Sequence, residues 1–205
     1  MKISTAIIST ALLMIGLSSA HASDHIRIVK CEAARNWKEC ARITIKGEIQ
    51  LKDSDEFINR VKEIKIASID LSSPGGNFIA GLEIGEVVSQ RKFKTRILEN
   101  TSCSSSCAHI WLAGSERLIY AGGILLFHTP FMAEDPNHAD GLASVVLGAY
   151  LSKLGYSYSF IKDAFGHGPN DINAFIRNEE GELAQVRCLT DNAGDTDIKS
   201  CKRIH

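Results

Sequence analysis

Ile66-Ala-Ser-Ile-Asp-Leu-Ser-Ser-Pro-Gly-Gly-Asn77 runs from an apolar stretch into a turn with two adjacent glycines. Residues 66–71 read as a buried strand, and Pro-Gly-Gly ends it. A helix is expected over residues 78–90, with Leu82, Ile84, Val87 and Val88 on its buried side. Upstream, Arg42-Ile-Thr-Ile-Lys46 alternates apolar and polar residues, the pattern of a strand with one face covered. Asp53 or Ser54 then caps a helix that gathers Phe57, Ile58, Val61 and Ile64 on one face. Downstream, residues 93–98 read as a strand, and short strands at 118–120 and 124–127 flank Gly122-Gly123. This alternation predicts an α/β fold: a parallel β-sheet with crossover helices, in a single domain over residues 23–205.

The last third carries a different rhythm. A loop is expected over 132–137, then a helix over 139–154 with Leu142, Val146, Ala149 and Tyr150 on one face. Gly166-His-Gly-Pro169 breaks the chain, Asn170 or Asp171 caps a further short helix, and the tail from Thr190 is polar and loose.

Residues 1–22 read as a cleaved signal peptide, with Lys2, an apolar stretch over 6–17 and Ala20-His21-Ala22. About 12 apolar residues are too few to span a bilayer, so no membrane span is expected after cleavage. Export places the protein in the periplasm. The chain has 205 residues, with 23 basic against 24 acidic side chains. That balance gives no electrostatic reason for a nucleic-acid partner. The six cysteines all follow the signal segment and suit an oxidising compartment. They fall into local pairs, Cys31–Cys40, Cys103–Cys107 and Cys188–Cys201, one scheme among the 15 that six cysteines allow. No metal-ligand spacing and no cofactor motif is read from the sequence.

Two pieces carry candidate chemistry. Pro74-Gly75-Gly76 between a strand and a helix offers backbone N–H groups without side-chain bulk. Such donors hold an oxyanion or an extended peptide, although an ordinary turn has the same composition. Thr101-Ser-Cys-Ser-Ser-Ser-Cys107 opens a second helix. Any of Ser102, Ser104, Ser105 or Ser106 could cap it, and the residues alone do not single out a nucleophile. The nucleophile elbow Gly-x-Ser-x-Gly is absent. His128 follows Leu-Leu-Phe and precedes Thr-Pro, whereas His109 on the apolar helix reads as packing.

Ser-Pro-Gly-Gly after a strand, a serine-led helix ending in Ala-Gly, and a strand ending in His-x-Pro together resemble the ClpP-type serine peptidases of the crotonase-like superfamily. The Cys-x-Ser-x-Cys helix start is most similar to exported, ATPase-independent relatives. The likeness covers residues 47–130. It implies a ClpP/crotonase-like fold of ββα repeats and picks Ser105 as nucleophile, with His128 as its base. It further implies that the N–H groups of Gly76 and Ser106 form the oxyanion hole. The family's aspartate falls near Asn178, with Glu179, Asp171 and Asp163 as alternatives, so the site is a Ser–His dyad or an incomplete triad. Cys107 stands where the family prefers glycine.

The implied activity is a periplasmic, ATP-independent peptidase acting on peptides or unfolded polypeptide through an acyl-enzyme, possible as a homo-oligomer. The alternatives are a non-catalytic peptide-binding or assembly protein, and a Ser–Lys dyad, for which no lysine stands close to the serine helix.

Overall fold

The computed structural model describes residues 25–31, 40–166, 168–177, 182–189 and 202–203. The signal segment, Asn178, Glu179, the Cys188–Cys201 pairing and the tail from Thr190 to Cys201 lie outside the residues described.

Two five-stranded sheets organise the chain. The first has the order β1 (Ile26–Lys30), β2 (Cys40–Lys46), β3 (Ile66–Ser72), β4 (Lys94–Ile97) and β6 (Arg117–Ile119). β1 pairs antiparallel with β2, and the other three pairings are parallel. Helices α1 (Leu51–Arg60) and α2 (Phe78–Gln90) make the crossovers from β2 to β3 and from β3 to β4. Ile43, Ile69 and Ile97 are fully buried in this sheet, as are Phe57 on α1, Val61 at its C-terminal cap, and Ile84 and Val88 on α2. The expected parallel sheet with crossover helices is therefore present.

The second sheet was not foreseen. It has the order β12 (Lys202–Arg203), β11 (Leu183–Leu189), β10 (Asp171–Arg177), β7 (Ile124–Phe127) and β5 (Ser102–Ser104). Only β5 and β7 run parallel. The chain crosses from the first sheet to the second between β4 and β5, then turns into α3 (Ser106–Leu112). A bridge between Ser73 and Cys103 ties the sheets together at that crossing.

Several expectations need correction. Neither Asp53 nor Ser54 is the cap of α1. The helix starts at Leu51, and Asp53 accepts a hydrogen bond from the Gln50 N–H at 2.8 Å, inside the first turn. Residues 132–137 are not a plain loop, because β8 (Phe131–Met132) and β9 (Asp135–Ala139) pair as a ribbon. Asn170 and Asp171 cap no helix: Asp171 opens β10, which lies antiparallel to β7. Helix α5 (Tyr158–Phe165), capped by the Ser157 hydroxyl, was not anticipated.

Helix α4 (Gly141–Lys153) lies where expected, but it buries a different face. Leu147, Tyr150 and Leu151 are covered, while Leu142 is 76% exposed and Val146 and Ala149 face outward. Apolar residues lie all round this helix, so periodicity did not fix its orientation.

One buried ion pair crosses the first sheet. Arg96 Nε and Nη2 both donate to Asp70 Oδ1, at 2.7 and 2.5 Å, on adjacent strands. Asp70→Ala would leave a largely buried guanidinium without its carboxylate. The expected loss is about 2 kcal/mol of unfolding free energy by urea titration. A variant as stable as the parent would contradict this account of the sheet.

Candidate functional site

Two stretches meet where the sheets join. The Ser73 N–H donates to Ser102 O at 2.9 Å, and the Ser104 N–H donates to Ser73 O at 3.0 Å. These bonds set the Pro-Gly-Gly turn beside the serine cluster. Gly75 has φ +100°, and a Cβ there would stand 2.7 Å from Ser104 O and 2.7 Å from Ser105 Cβ. Gly76 has φ +136°, and a Cβ there would meet Ile49 O at 2.3 Å. Both positions therefore need glycine, for conformation and for space.

The backbone donors of the turn can be followed one by one. Ser73 is bound as above, and Pro74 has no N–H. The Gly75 N–H donates to Ser73 Oγ at 3.0 Å, and the Asn77 N–H to Ile49 O at 2.7 Å. Among the described residues, the Gly76 N–H is left without an acceptor. The serine turn repeats this outcome. Ser104 is bound to Ser73, and the Ser105 N–H donates to Leu126 O at 3.2 Å. The Ala108 N–H closes the first turn of α3 on Ser105 O at 2.8 Å. Ser106, the first helical residue, has no acceptor for its N–H among the described residues.

Ser105 is the exceptional residue of the cluster. Its backbone has φ 55° and ψ −125°, a region that L-residues seldom occupy. Holding a side chain there costs on the order of 1–3 kcal/mol, and such strain concentrates at functional sites. The neighbouring strand and helix enforce it through the bonds at its N–H and carbonyl. The disulfide between Cys103 and Cys107 also straddles it. Ser105 is half-buried, whereas Ser104 and Ser106 are buried, with 3% and 1% of their surface exposed. Cys107 does not disturb the helix start; its sulfur closes that disulfide. Cys31 and Cys40 are bonded as well.

His128 follows the last residue of β7 and is 9% exposed. Its ring stacks on Phe131, with centroids 5.3 Å apart. Nδ1 lies 2.9 Å from Thr129 O. A carbonyl can only accept, so this contact places the proton on Nδ1 and leaves a lone pair on Nε2. Thr129 is fixed in turn: its hydroxyl donates to Phe165 O and accepts from the Gly168 N–H at 3.2 Å. Among the described residues no hydrogen bond joins Ser105 to His128.

Of the carboxylates considered as a third member, Asp163 is exposed, and its backbone carbonyl accepts from Asn173 Nδ2 at 2.9 Å. Asp171 sits at the start of β10. The group found against His128 is a backbone carbonyl, which no side-chain pattern signals. Among the described residues, no three of His, Cys, Asp and Glu converge as a metal-ligand set.

His109, one helical turn beyond Ser105, is 3% exposed between Phe78 and Phe165, with ring centroids 5.7 and 5.9 Å away. Its Nδ1 and the Ser106 Oγ are buried without a hydrogen-bond partner among the described residues. Burial, and secondarily the charge of His128, push the His109 pKa down to about 3. Burial also lowers that of His128, against the opposing effect of its bond to Thr129. Both rings are thus neutral at pH 7.

These shifts bear on stability. The unfolded chain takes up protons below pH 6.5 that buried His109 refuses until about pH 3. Stability present above pH 6.5 is therefore lost as the pH falls through that window, by on the order of 1 kcal/mol per pH unit for one histidine. His109→Phe should make the loss between pH 7 and 5 shallower in urea unfolding. An unchanged pH dependence would contradict the assignment.

No family model and no curated protein matches the chain. Solved structures similar to it include a mutant of the 1510-N membrane-bound stomatin-specific protease, at 20% identity and a TM-score of 0.48, over 60% of this chain and 67% of that one. A second mutant of that protease, in complex with a substrate peptide, is 21% identical, with a TM-score of 0.48 over 60% of this chain and 63% of that one. ClpP1 from Listeria monocytogenes is 17% identical, with a TM-score of 0.47 over 60% of this chain and 77% of that one.

Proposed function

We propose that this protein is a serine peptidase of the ClpP-like kind, exported and independent of ATP, that cleaves peptides or unfolded polypeptide through an acyl-enzyme. The observation that carries the reading is the Ser105 backbone, held at φ 55° and ψ −125° beside two N–H groups that have no acceptor among the described residues. Such strain is concentrated at functional sites, and the Ser105 side chain caps no helix.

In the proposed reaction Ser105 Oγ attacks the scissile carbonyl carbon while His128 Nε2 takes its proton. The carbonyl oxygen becomes an oxyanion and accepts from the N–H groups of Gly76 and Ser106. Removing one such donor costs about 10²–10³ in rate. The intermediate expels the amine, which takes the proton back from Nε2, and water then repeats the sequence to release the acid. The contact between Ser105 and His128 closes on substrate binding, since such bonds are often long in the free enzyme. The Thr129 carbonyl orients the ring through Nδ1, while Asn178, expected near the third position of the site, lies outside the described residues.

The turn itself argues against the binding-protein alternative. Gly75 O and the Asn77 N–H are already bonded to Ile49, and Ser73 is bonded to the serine strand. One free donor remains where a captured strand would need a ladder, and one donor suits an oxyanion. The periplasmic location rests on the apolar segment at 6–17 and on the bonded pairs Cys31–Cys40 and Cys103–Cys107. A homo-oligomer belongs to the same reading, because α4 exposes Leu142, Val145 and Val146.

A fluorophosphonate probe should label Ser105, located by mass spectrometry, and Ser105→Ala should abolish the adduct. His128→Ala should slow labelling on the order of 10²–10⁴-fold in a folded protein. Because burial lowers the His128 pKa, the rate should fall only once the pH drops below the ordinary histidine value of 6.5. An adduct confined to Ser104 or Ser106, or full labelling in folded His128→Ala, would overturn the assignment. No labelling at all would return the non-catalytic reading.

A further inference from the structure

Helices α2 and α3 begin at the two donors assigned to the oxyanion. Gly76 stands one residue before the Asn77 cap of α2, and Ser106 is the first residue of α3. Where the helices touch, a glycine makes room. A Cβ on Gly81 would stand 2.6 Å from Ser106 Cβ, 3.0 Å from Ser106 O and 3.2 Å from Ser106 Cα. Carbon atoms pack at about 3.5–4.0 Å, so no side chain fits between the helices at this point. One turn along α2, a Cβ on Gly85 would overlap the Tyr150 hydroxyl, which donates to His109 O of α3 at 3.0 Å.

Gly81 is also fixed to the Gly76 end. Its N–H donates to Asn77 O at 3.1 Å, and Asn77 Oδ1 accepts from the Ala80 N–H at 2.9 Å. The Asn77 N–H is itself held by Ile49 O at 2.7 Å. One closed helical turn thus joins the residue after one donor to the residue that touches the other. From the opposite side, a Cβ on Gly75 would lie 3.2 Å from Ser106 N. The Ser106 backbone is seated between two glycines, Gly75 against its nitrogen and Gly81 against its Cα and carbonyl. The Ser106 hydroxyl is buried without a partner among the described residues, so no hydrogen bond of its side chain sets this seat.

We infer that Gly81 is a positioning residue, whose missing side chain sets the separation of the Gly76 and Ser106 N–H groups. The inference rests on the peptidase reading of the site. A methyl group at position 81 pushes the first turn of α3 away from α2 and carries the Ser106 N–H with it. A displacement of about 1 Å at a catalytic group costs about 10² in rate, as does the loss of one oxyanion donor. Inside a helix, alanine is ordinarily favoured over glycine, so a loss here has to come from the contact. Gly148 on α4 supplies the control, because a Cβ there meets open space.

The test compares fluorophosphonate inactivation of the parent, Gly81→Ala and Gly148→Ala, separating the maximal rate from the half-saturating probe concentration. For Gly81→Ala the maximal rate should fall about 10²-fold while the half-saturating concentration stays level. Gly148→Ala should label at the parental rate and melt no lower than the parent. The Ser106→Gly background keeps the N–H and removes the Cβ that is struck, so adding Gly81→Ala there should cost less than about tenfold. That pair carries the test if Gly81→Ala alone does not fold. A folded Gly81→Ala that labels at the parental rate, or a loss as large in the Ser106→Gly background, would overturn the inference and leave the peptidase reading standing. A parent chain that takes no label would overturn that reading, and the inference with it.

Discussion

The two hydrogen bonds between Ser73 and the Ser102–Ser104 strand are the constraint on which the rest depends. They join the parallel sheet to the second sheet, and they do so where both chain segments reverse direction. The Pro-Gly-Gly turn and the start of α3 are thereby pressed together closely enough that Gly75 has no room for a methyl group. Ser105 then cannot relax. Its N–H is held by β7 and its carbonyl by the helix, and the disulfide fixes the residues two before and two after it. The site is the seam of the fold, and the strain is stored where two rigid elements share one residue.

The surroundings of that seam are costly in the same sense. His109 and Ser106 place polar atoms in the interior without partners among the described residues, and His128 is nine-tenths enclosed. Each raises the free energy of the folded state, most of all at acid pH, where both histidines resist protonation. The apolar packing around them, Phe78, Phe127 and Phe165 among it, offsets that cost. A protein selected for stability alone would place apolar side chains at these positions, so their presence fits a site selected for chemistry.

Much of this was legible in the sequence because it rests on residue identity. The paired glycines, the serine cluster and the histidine after an apolar strand are readable as residue types, and the positive-φ backbone falls on Ser105, one of the serines of that cluster. What escaped rests on tertiary contact. The carbonyl of Thr129 has no signature in the sequence, since any residue has one. Asp171 resembled a helix cap, but β7 offered the following residues a strand partner, and pairing decided their state. On α4, apolar residues surround the axis, and only contact through Tyr150 and its neighbours determined which were covered. Helix α5 was readable, since Ser157 precedes Phe160, Ile161, Ala164 and Phe165 at helical spacing.

The measurement that bears most directly on the central claim is a crystal structure of the phosphonylated protein. The account predicts a phosphonyl oxygen accepting from both the Gly76 and Ser106 N–H groups, at about 2.7–3.1 Å, with the Ser105 backbone still at positive φ. An adduct whose oxygen faces solvent, or a Ser105 that relaxes to an ordinary helical or extended backbone, would contradict it.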